Sequence, residues 1–159
     1  MASKRSYWLM KSEPGVYSIQ TLRRDRRTHW EGVRNYQARN HLRSMHEGDL
    51  VLFYHSSAEP PGVAGIARVC REAYPDDSQF DAQSHYYDAD SPRDDPRWSL
   101  VDIEFVEELA ELVPLEVLKQ DESLEGMLVR KRGMRLSVQP VEREHFARVA
   151  KLGKAKTKI

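Results

Sequence analysis

The sequence predicts an α+β fold in which helices flank an antiparallel or mixed sheet, curled or closed. Short apolar or alternating segments cluster in the middle of the chain, and amphipathic segments follow them. The regular exchange of strand and helix that defines a parallel sheet is absent. A chain of 159 residues has the length of one domain, and it can bury enough surface to need neither a disulfide nor a structural metal.

Five segments are predicted as strands because their apolar side chains are continuous or alternate with polar ones. These are residues 7–9, 50–54, 62–74, 98–109 and 134–138. Four segments are predicted as helices from their spacing and their first residues. These are residues 17–22 with Ser18 as the cap, residues 33–45, residues 115–120 after Pro114, and a final helix that opens at Pro140.

Residues 75–96 form a polar stretch rich in aspartate and proline, which is either a long ordered loop or a disordered one. A loop of this length inside a compact domain is usually functional or mobile. We place a single domain at residues 1–152, and we expect the basic tail, residues 153–159, to be frayed.

Cysteine usage and hydropathy point to a reducing compartment. Cys70 is the only cysteine, so the chain can form no internal disulfide. No segment is apolar enough for a signal peptide or a membrane span. We therefore expect a cytoplasmic protein, with the nucleus as the other reducing compartment, and no membrane partner.

The charges are segregated although the net charge is zero. Arginines crowd residues 23–43, nine carboxylates crowd residues 102–125, and residues 130–158 are basic again. Such blocks can give a neutral protein a positive face that meets phosphates. Each block is read equally well as solvated surface.

The motifs of nucleotide, hydrolase and metal chemistry are absent. The sequence has no GxxxxGK[ST] loop, no GxGxxG fingerprint and no GxSxG elbow. Its six histidines form no HxxxH or HExxH pair, so we expect no metal. His55 stands beside Ser56 and Ser57, but neighbours at a strand end point to opposite sides. The sequence thus offers no catalytic constellation, and we expect no cofactor.

The chemically densest segment is WEGVRNYQARN, residues 30–40. Trp30 offers a flat surface on which stacking a base is worth about 1–3 kcal/mol, and Gly32 would let a ligand approach the backbone. Arg34 and Arg39 can bind phosphate through two N–H groups. The amides that could read a base edge are Asn35, Gln37 and Asn40. From residue chemistry alone, ordinary core and helix-surface roles explain the segment slightly better than a binding site.

Six motifs in order carry a resemblance that covers the chain from Tyr7 to about Val149. They are YWLMKSEP, WEGVRNYQARNHLR, GDLVLFYHSS, GVAGIARV, EAYPDDSQFD and YYDADSPRDDPRW. Together they resemble the EVE domain family. The resemblance implies a PUA-like fold, a small and mostly antiparallel β-barrel flanked by helices, similar to the PUA and YTH folds that bind RNA. It also implies a reader of modified bases in nucleic acid, modified cytosine above all, rather than an enzyme.

Carried onto this chain, the resemblance implies an aromatic pocket that receives a flipped base. The implied pocket residues are Ser12, Trp30, Asn35, Tyr36, Tyr54 and His55. Residues 81–98 would form its outer wall, and Arg34 and Arg39 would contact phosphates. Ser12 and the Tyr54–His55 strand end would belong to the same wall. The expected partner is a nucleic acid with a modified base, and DNA and RNA both stay open as the polymer.

Two other classes of function stay open beside the base reader. The first is an enzyme that acts on a modified base or nucleotide, with His55 or Glu13 as the proton carrier. The second is a protein-interaction module whose acidic strip, residues 102–125, meets a basic partner.

Overall fold

The structure is a computed structural model that describes residues 5–159, so residues 1–4 of the predicted domain lie outside the described residues. The described chain forms six strands and four α-helices. In chain order they are β1 (Tyr7–Ser12), α1 (Ile19–Asp25), β2 (Arg27–His29), α2 (Tyr36–Ser44), β3 (Leu50–His55), β4 (Gly62–Pro75), β5 (Ser99–Pro114), α3 (Leu115–Gln120), β6 (Val138–Val141) and α4 (Arg143–Leu152). Single 3₁₀ turns occur at Asp77–Phe80, Glu122–Leu124 and Leu128–Arg130.

The strands form one mixed sheet in the order β2-β5-β4-β3-β1-β6. β1 runs parallel to β3, and the other neighbours are antiparallel. The expected combination of a mixed sheet with helices is therefore confirmed. The described residues do not close the sheet into a barrel, because β2 and β6 each have only one neighbouring strand. β4 and β5 contain several register shifts, which bend long strands without closing the sheet.

Both faces of the sheet are covered, because alternate residues of the central strands point to opposite sides. Trp8 and Met10 of β1 join Val51 and Phe53 of β3 in a first core, together with residues of α1 and α2. The intervening residues, such as Leu9 and Leu52, join a second core beneath α3 and α4. The two cores explain why β3 is buried along its whole length.

The prediction of four strands from local pattern is confirmed at β1, β3, β4 and β5. The last strand and the last helix begin later in the chain than the sequence predicts, at Val138 and at Arg143. Pro140 does not open a helix but pairs with Trp8 in the edge strand β6, where a residue without an N–H is tolerated. The short edge strand β2 was not predicted, because its three residues read as part of a basic surface.

The helix expected at residues 33–45 begins three residues later, at Tyr36. Asn35 precedes it in an extended conformation, and its side chain accepts a hydrogen bond from the Ala38 N–H at 2.9 Å. An asparagine cap of this kind fixes the first turn of a helix. Val33 is buried in the first core without being helical.

The aspartate-rich segment between β4 and β5 could be an ordered or a disordered loop from its sequence, and the structure shows an ordered one. Its buried centre is Gln79, which is fully inaccessible. The Gln79 amide donates to the carbonyls of Asp76 and Trp98 at 2.7 and 2.9 Å. Its oxygen accepts from the Ser91 hydroxyl and the Trp98 N–H at 2.6 and 3.1 Å. One side chain therefore ties together the start, middle and end of the loop.

The C-terminal tail is held against β5 in the structure. The backbone N–H groups of Lys156 and Thr157 donate to the two oxygens of Glu107 at 2.8 and 2.9 Å. Ile159 packs against the second core. The tail therefore lies along β5, held by one carboxylate and one apolar side chain.

Candidate nucleic-acid interface

The ends of β1 and β3 place Ser12 and His55 side by side. The two strands are parallel, and Ser12 is the register partner of His55. Ser12 lies two residues after Met10, and His55 lies two residues after Phe53. Met10 and Phe53 belong to the first core, and side chains two residues apart on a strand point to the same side, so Ser12 and His55 lie on the face of the first core. The His55 ring meets the Phe53 ring edge-on, with 5.7 Å between centroids.

Tyr54 does not belong to this wall, which corrects the predicted pocket. Tyr54 pairs with Lys11 on the opposite face and packs into the second core, where only 3% of it is exposed. The Lys11 ammonium lies 5.8 Å from the centre of the Tyr54 ring. Burial raises the pKa of Tyr54 above its usual value, and this hydroxyl stays neutral at physiological pH.

His55 is fixed as a neutral imidazole. Its Nε2 accepts a hydrogen bond from the Ile19 backbone N–H at 3.1 Å, at the start of α1. Burial lowers the pKa of His55, and the negative charge of Glu108 opposes that shift only in part. An Nε2 that accepts leaves Nδ1 as the donor of the ring, so His55 can offer one N–H to a ligand.

Ser12 is also held by the turn that follows β1. Its hydroxyl donates to the Tyr17 carbonyl at 2.5 Å, while the Tyr17 N–H donates to the Glu13 carbonyl at 2.9 Å. A hydroxyl oxygen has two acceptor sites besides its proton. Ser12 is therefore placed as an acceptor toward the face it shares with His55.

Trp30 lies at the end of β2 and reaches the same core. Its backbone N–H donates to the Val101 carbonyl at 2.8 Å. The partly buried indole meets Phe53 edge-on, at 5.6 Å between centroids and an interplanar angle of 88°. Phe53 thus contacts both Trp30 and His55, and it joins the two predicted pocket residues through one ring.

Arg34 is bound entirely within the protein. Its guanidinium donates all five N–H groups: to the carbonyls of Tyr86 and Val33, to the Ser78 hydroxyl, and to the Asp76 carboxylate at 3.1 Å. The group lies 5.6 Å from the Tyr86 ring centre and 5.5 Å from that of Trp98. The phosphate contact predicted for Arg34 is inconsistent with this geometry, because no N–H remains for a phosphate.

Asp76 is the buried partner of that guanidinium, with its side chain fully inaccessible. Burial alone would raise the pKa of Asp76. Hydrogen bonds from the Ser78 hydroxyl, the Gly32 N–H and the Arg34 guanidinium outweigh burial and hold the pKa below its usual range. Asp76 therefore joins the Trp30–Arg34 segment to the start of the loop as an ionised carboxylate.

Gly32 is required by a close approach, but the approaching group is protein. Its φ is +89°, and a Cβ at this position would lie 2.6 Å from the Tyr86 ring. The space that we expected a ligand to use is thus occupied by Tyr86. Beside this contact lies an open groove of about 470 Å³, lined by Gly32, Arg34, His85, Tyr86, Tyr87, Asp88 and Trp98.

Tyr36 and Arg39 extend the layer of stacked groups outward from Trp98. The Tyr36 and Trp98 rings stack at 4.9 Å between centroids and 25° between planes. The Arg39 guanidinium lies 4.8 Å from the Tyr36 ring centre, and Tyr36 remains 51% exposed. Arg39 donates to the Asn40 side-chain oxygen and to the Arg97 carbonyl, which leaves two of its N–H groups for another partner.

The predicted site residues therefore fall into two groups, with Tyr54 outside both. Trp30 and His55 meet at Phe53, and Ser12 is the register partner of His55. Arg34 and Tyr36 contact Trp98, and Arg39 lies over Tyr36. Asn35 and Asn40 spend their side-chain oxygens on a helix cap and on Arg39. Sequence reasoning gave no role to Asp76 or Gln79, although both lie in the motif EAYPDDSQFD, and it placed Tyr86 only as part of the expected outer wall at residues 81–98.

Nowhere in residues 5–159 do three histidine, cysteine, aspartate or glutamate side chains gather so that they could hold a metal ion. Over the same residues, no helix is long and apolar enough to cross a membrane.

Comparisons with known proteins give one family. The EVE domain model matches residues 6–152. Human thymocyte nuclear protein 1 is 42% identical over 160 residues, which cover 89% of this chain and 71% of that protein. The mouse protein of the same name is 42% identical over 160 residues, which cover 89% of this chain and 70% of that protein.

Solved structures agree with that match. A crystal structure of a Pseudomonas putida protein superposes with a TM-score of 0.90 at 48% identity, covering 93% of this chain and 99% of that one. Human THYN1, solved in complex with DNA that contains 5-methylcytosine, superposes with a TM-score of 0.88 at 41% identity, covering 96% and 99%. A YTH domain from Zygosaccharomyces rouxii has a TM-score of 0.53 at 12% identity, over 99% of this chain and 91% of that one, and shares the fold alone. This chain belongs to the EVE domain family.

Proposed function

We propose that this protein binds DNA that carries a modified cytosine and holds the flipped base beside Trp30. The observation that carries the proposal is the human THYN1 structure, which contains DNA with 5-methylcytosine and superposes over 96% of this chain at 41% identity. The geometry that supports it is the group formed by Ser12, Trp30 and His55 around Phe53.

In this proposal the three residues have separate tasks. The Trp30 indole stacks on the base, the Ser12 oxygen accepts from an exocyclic amino group, and the His55 Nδ1–H donates to a ring acceptor. Flipping a base costs a few kcal/mol of lost stacking, which these contacts offset. An apolar patch beside the indole would distinguish a methylated from an unmethylated cytosine by about 10–200-fold.

The bonds of Ser12 and His55 support a binding role over catalysis. A nucleophile and its base need a hydrogen bond to each other or through one water. Here the Ser12 proton is directed to the Tyr17 carbonyl, and His55 Nε2 accepts from Ile19. The accepting nitrogen of His55 is therefore already occupied and does not take the Ser12 proton.

The ion pairs of β5 weaken the case for a protein-interaction module. Asp102 and Glu104 meet Arg27 and Arg68. Three more carboxylates of the acidic strip at residues 102–125 have cationic partners, namely Arg23, Lys154 and Arg148. Five of its nine carboxylates are thus ion-paired, and Glu107 accepts a hydrogen bond from Thr157. A surface neutralised from within attracts a basic partner less than its sequence implies.

The decisive test is binding of labelled oligonucleotides that differ in one base. Fluorescence anisotropy should give a tighter Kd for DNA with one 5-methylcytosine than for the unmodified strand. Trp30→Ala should weaken binding of the modified strand by about 5–150-fold, the loss of one stacking contact, and Trp30→Phe should recover part of it.

Tyr54→Phe is the matched control, because it removes one hydroxyl from an aromatic residue on the opposite face of the sheet. It should leave the Kd unchanged, and urea unfolding should show that each variant is folded. Equal Kd values for modified and unmodified DNA would refute the proposal. A modified oligonucleotide whose mass changes on incubation would instead establish an enzyme.

A further inference from the structure

Beyond the end of β1 lies a cluster of cationic side chains that includes neither Arg34 nor Arg39. We call it the basic turn, residues 131–135, and its charged members are Lys131, Arg132 and Arg135. All three side chains are exposed. None of them takes part in any ion pair found within residues 5–159.

Two hydrogen bonds hold the basic turn and the residues after it at the end of β1. The Lys11 ammonium donates to the Met134 carbonyl at 2.9 Å, and the Lys11 backbone N–H donates to the Ser137 carbonyl at 2.9 Å. Lys11 immediately precedes Ser12, and Met134 packs against the same core that Trp30 contacts. The turn therefore stands at the end of the sheet where Ser12 and His55 lie.

The antiparallel pairing of β6 with β1 requires this position. Val138 pairs with Met10, so the residues that precede β6 continue past the end of β1. Gly133 has a φ of +74° with no atom within 4 Å of a Cβ placed there, which lets the chain reverse in open space. Charged side chains on such a turn are free to follow a flexible polymer.

Three other cations are less suited to this task. Arg34 has no free N–H, and Arg39 has two. Lys154 pairs with Glu111 at 2.9 Å on the side of the sheet that α4 covers. An exposed cation without an ion-pair partner can bind a phosphate without first breaking an ion pair. Each phosphate contact also releases counterions from the DNA.

We infer that the basic turn binds phosphates of the DNA strand on either side of the flipped nucleotide. This inference rests on the proposed function, because it assigns phosphate contacts to the same pocket. The turn contributes affinity that is independent of the base, whereas Trp30 and its neighbours contribute the preference for the modified base.

The test is the salt dependence of DNA binding in a pair of charge-matched double variants. Arg132→Gln with Arg135→Gln removes two cations from the turn, and Lys156→Gln with Lys158→Gln removes two exposed cations from the tail. If each arginine contacts one phosphate, the slope of log Kd against log salt should fall by roughly 1.8 in the turn variant. Wild-type binding should then weaken about 10-fold more than variant binding between 50 and 200 mM salt. The tail variant should keep the wild-type slope.

Three outcomes would overturn the inference: an unchanged slope in the turn variant, an equal change in the tail variant, or loss of the preference for modified DNA with the slope intact. The slope is measured on unmodified DNA as well. A wild-type protein that binds both strands equally would refute the base-reading function while the slopes still decide the role of the turn. A slope change seen with RNA and absent with DNA would overturn the assignment of the polymer.

Discussion

Replacing Arg34 by alanine separates two explanations of this residue. If Arg34 contacts phosphate, Arg34→Ala weakens DNA binding and leaves the fold intact. If Arg34 instead acts as a clamp that joins its own segment to the loop at residues 75–96, the substitution removes five hydrogen bonds. It also leaves the fully buried Asp76 carboxylate without its cation. Removing one partner of a buried pair costs about 3–5 kcal/mol.

The lower end of that range applies, because the Arg34 side chain keeps 22% of its exposure while Asp76 has none. We therefore expect Arg34→Ala to lower the free energy of unfolding by about 3 kcal/mol. Against a total of roughly 5–15 kcal/mol for a single domain, this is a large fraction. In urea it corresponds to a shift of the midpoint by about 1–3 M.

Arg68→Ala is the matched control, since it removes another arginine from an ion pair. Arg68 pairs with Glu104 at 2.6 Å, but 46% of the Arg68 side chain and 32% of the Glu104 side chain are exposed. Exposed pairs are worth about 0–1 kcal/mol, so this midpoint should barely move. If Arg34→Ala costs no more than Arg68→Ala and instead flattens the salt dependence of DNA binding, the clamp is refuted and the phosphate contact is correct.

The remaining predictions concern one backbone position and one histidine. Gly32→Ala should destabilise the fold more than Gly48→Ala in urea unfolding. Both glycines have φ near +90°, but only a Cβ at residue 32 would lie against the ring of Tyr86. Equal losses of stability would show that the Tyr86 ring moves aside at no cost. In NMR titration His55 should show a midpoint below the ordinary value of about 6.5. Since its folded pKa is lowered, its contribution to stability is complete above about pH 6.5 and is lost as the pH falls through the folded pKa. His55→Gln should reduce this acid sensitivity, and a midpoint above 6.5 would contradict the neutral ring that accepts from Ile19.

Sequence reasoning succeeded where a single segment contains its own signal. The continuous apolar run of β3, the strand pattern of β4 and the cap at Ser18 are local, and the structure reproduces them. The end of the chain went wrong because Pro140 is compatible both with a helix start and with an edge strand. Only pairing with β1 decides between the two, and pairing is not a local property.

The candidate site shows the same division. Tyr54 and His55 were placed in one wall, although adjacent strand residues point to opposite faces, and the register of β3 separates them. The role of Arg34 could not be found from its neighbours in sequence, because its carboxylate partner lies 42 residues away. The family resemblance points to the segment at residues 30–40, and long-range bonds decide which of its side chains remain free.

Part of the charge in these blocks is paired once the chain is folded. In the first arginine block, Arg26 alone lacks an ion pair or side-chain hydrogen bond among the described residues, while the six others are held by Glu108, Asp25, Asp102, Asp76, Arg97 and Ser99. Two of these bonds use carboxylates of β5, Glu108 and Asp102. The basic turn at the end of β1, by contrast, presents three exposed cations that take part in no ion pair found within residues 5–159. A protein of zero net charge can in this way attract a polyanion to one end of its sheet, because the attraction depends on the local field rather than on the total charge.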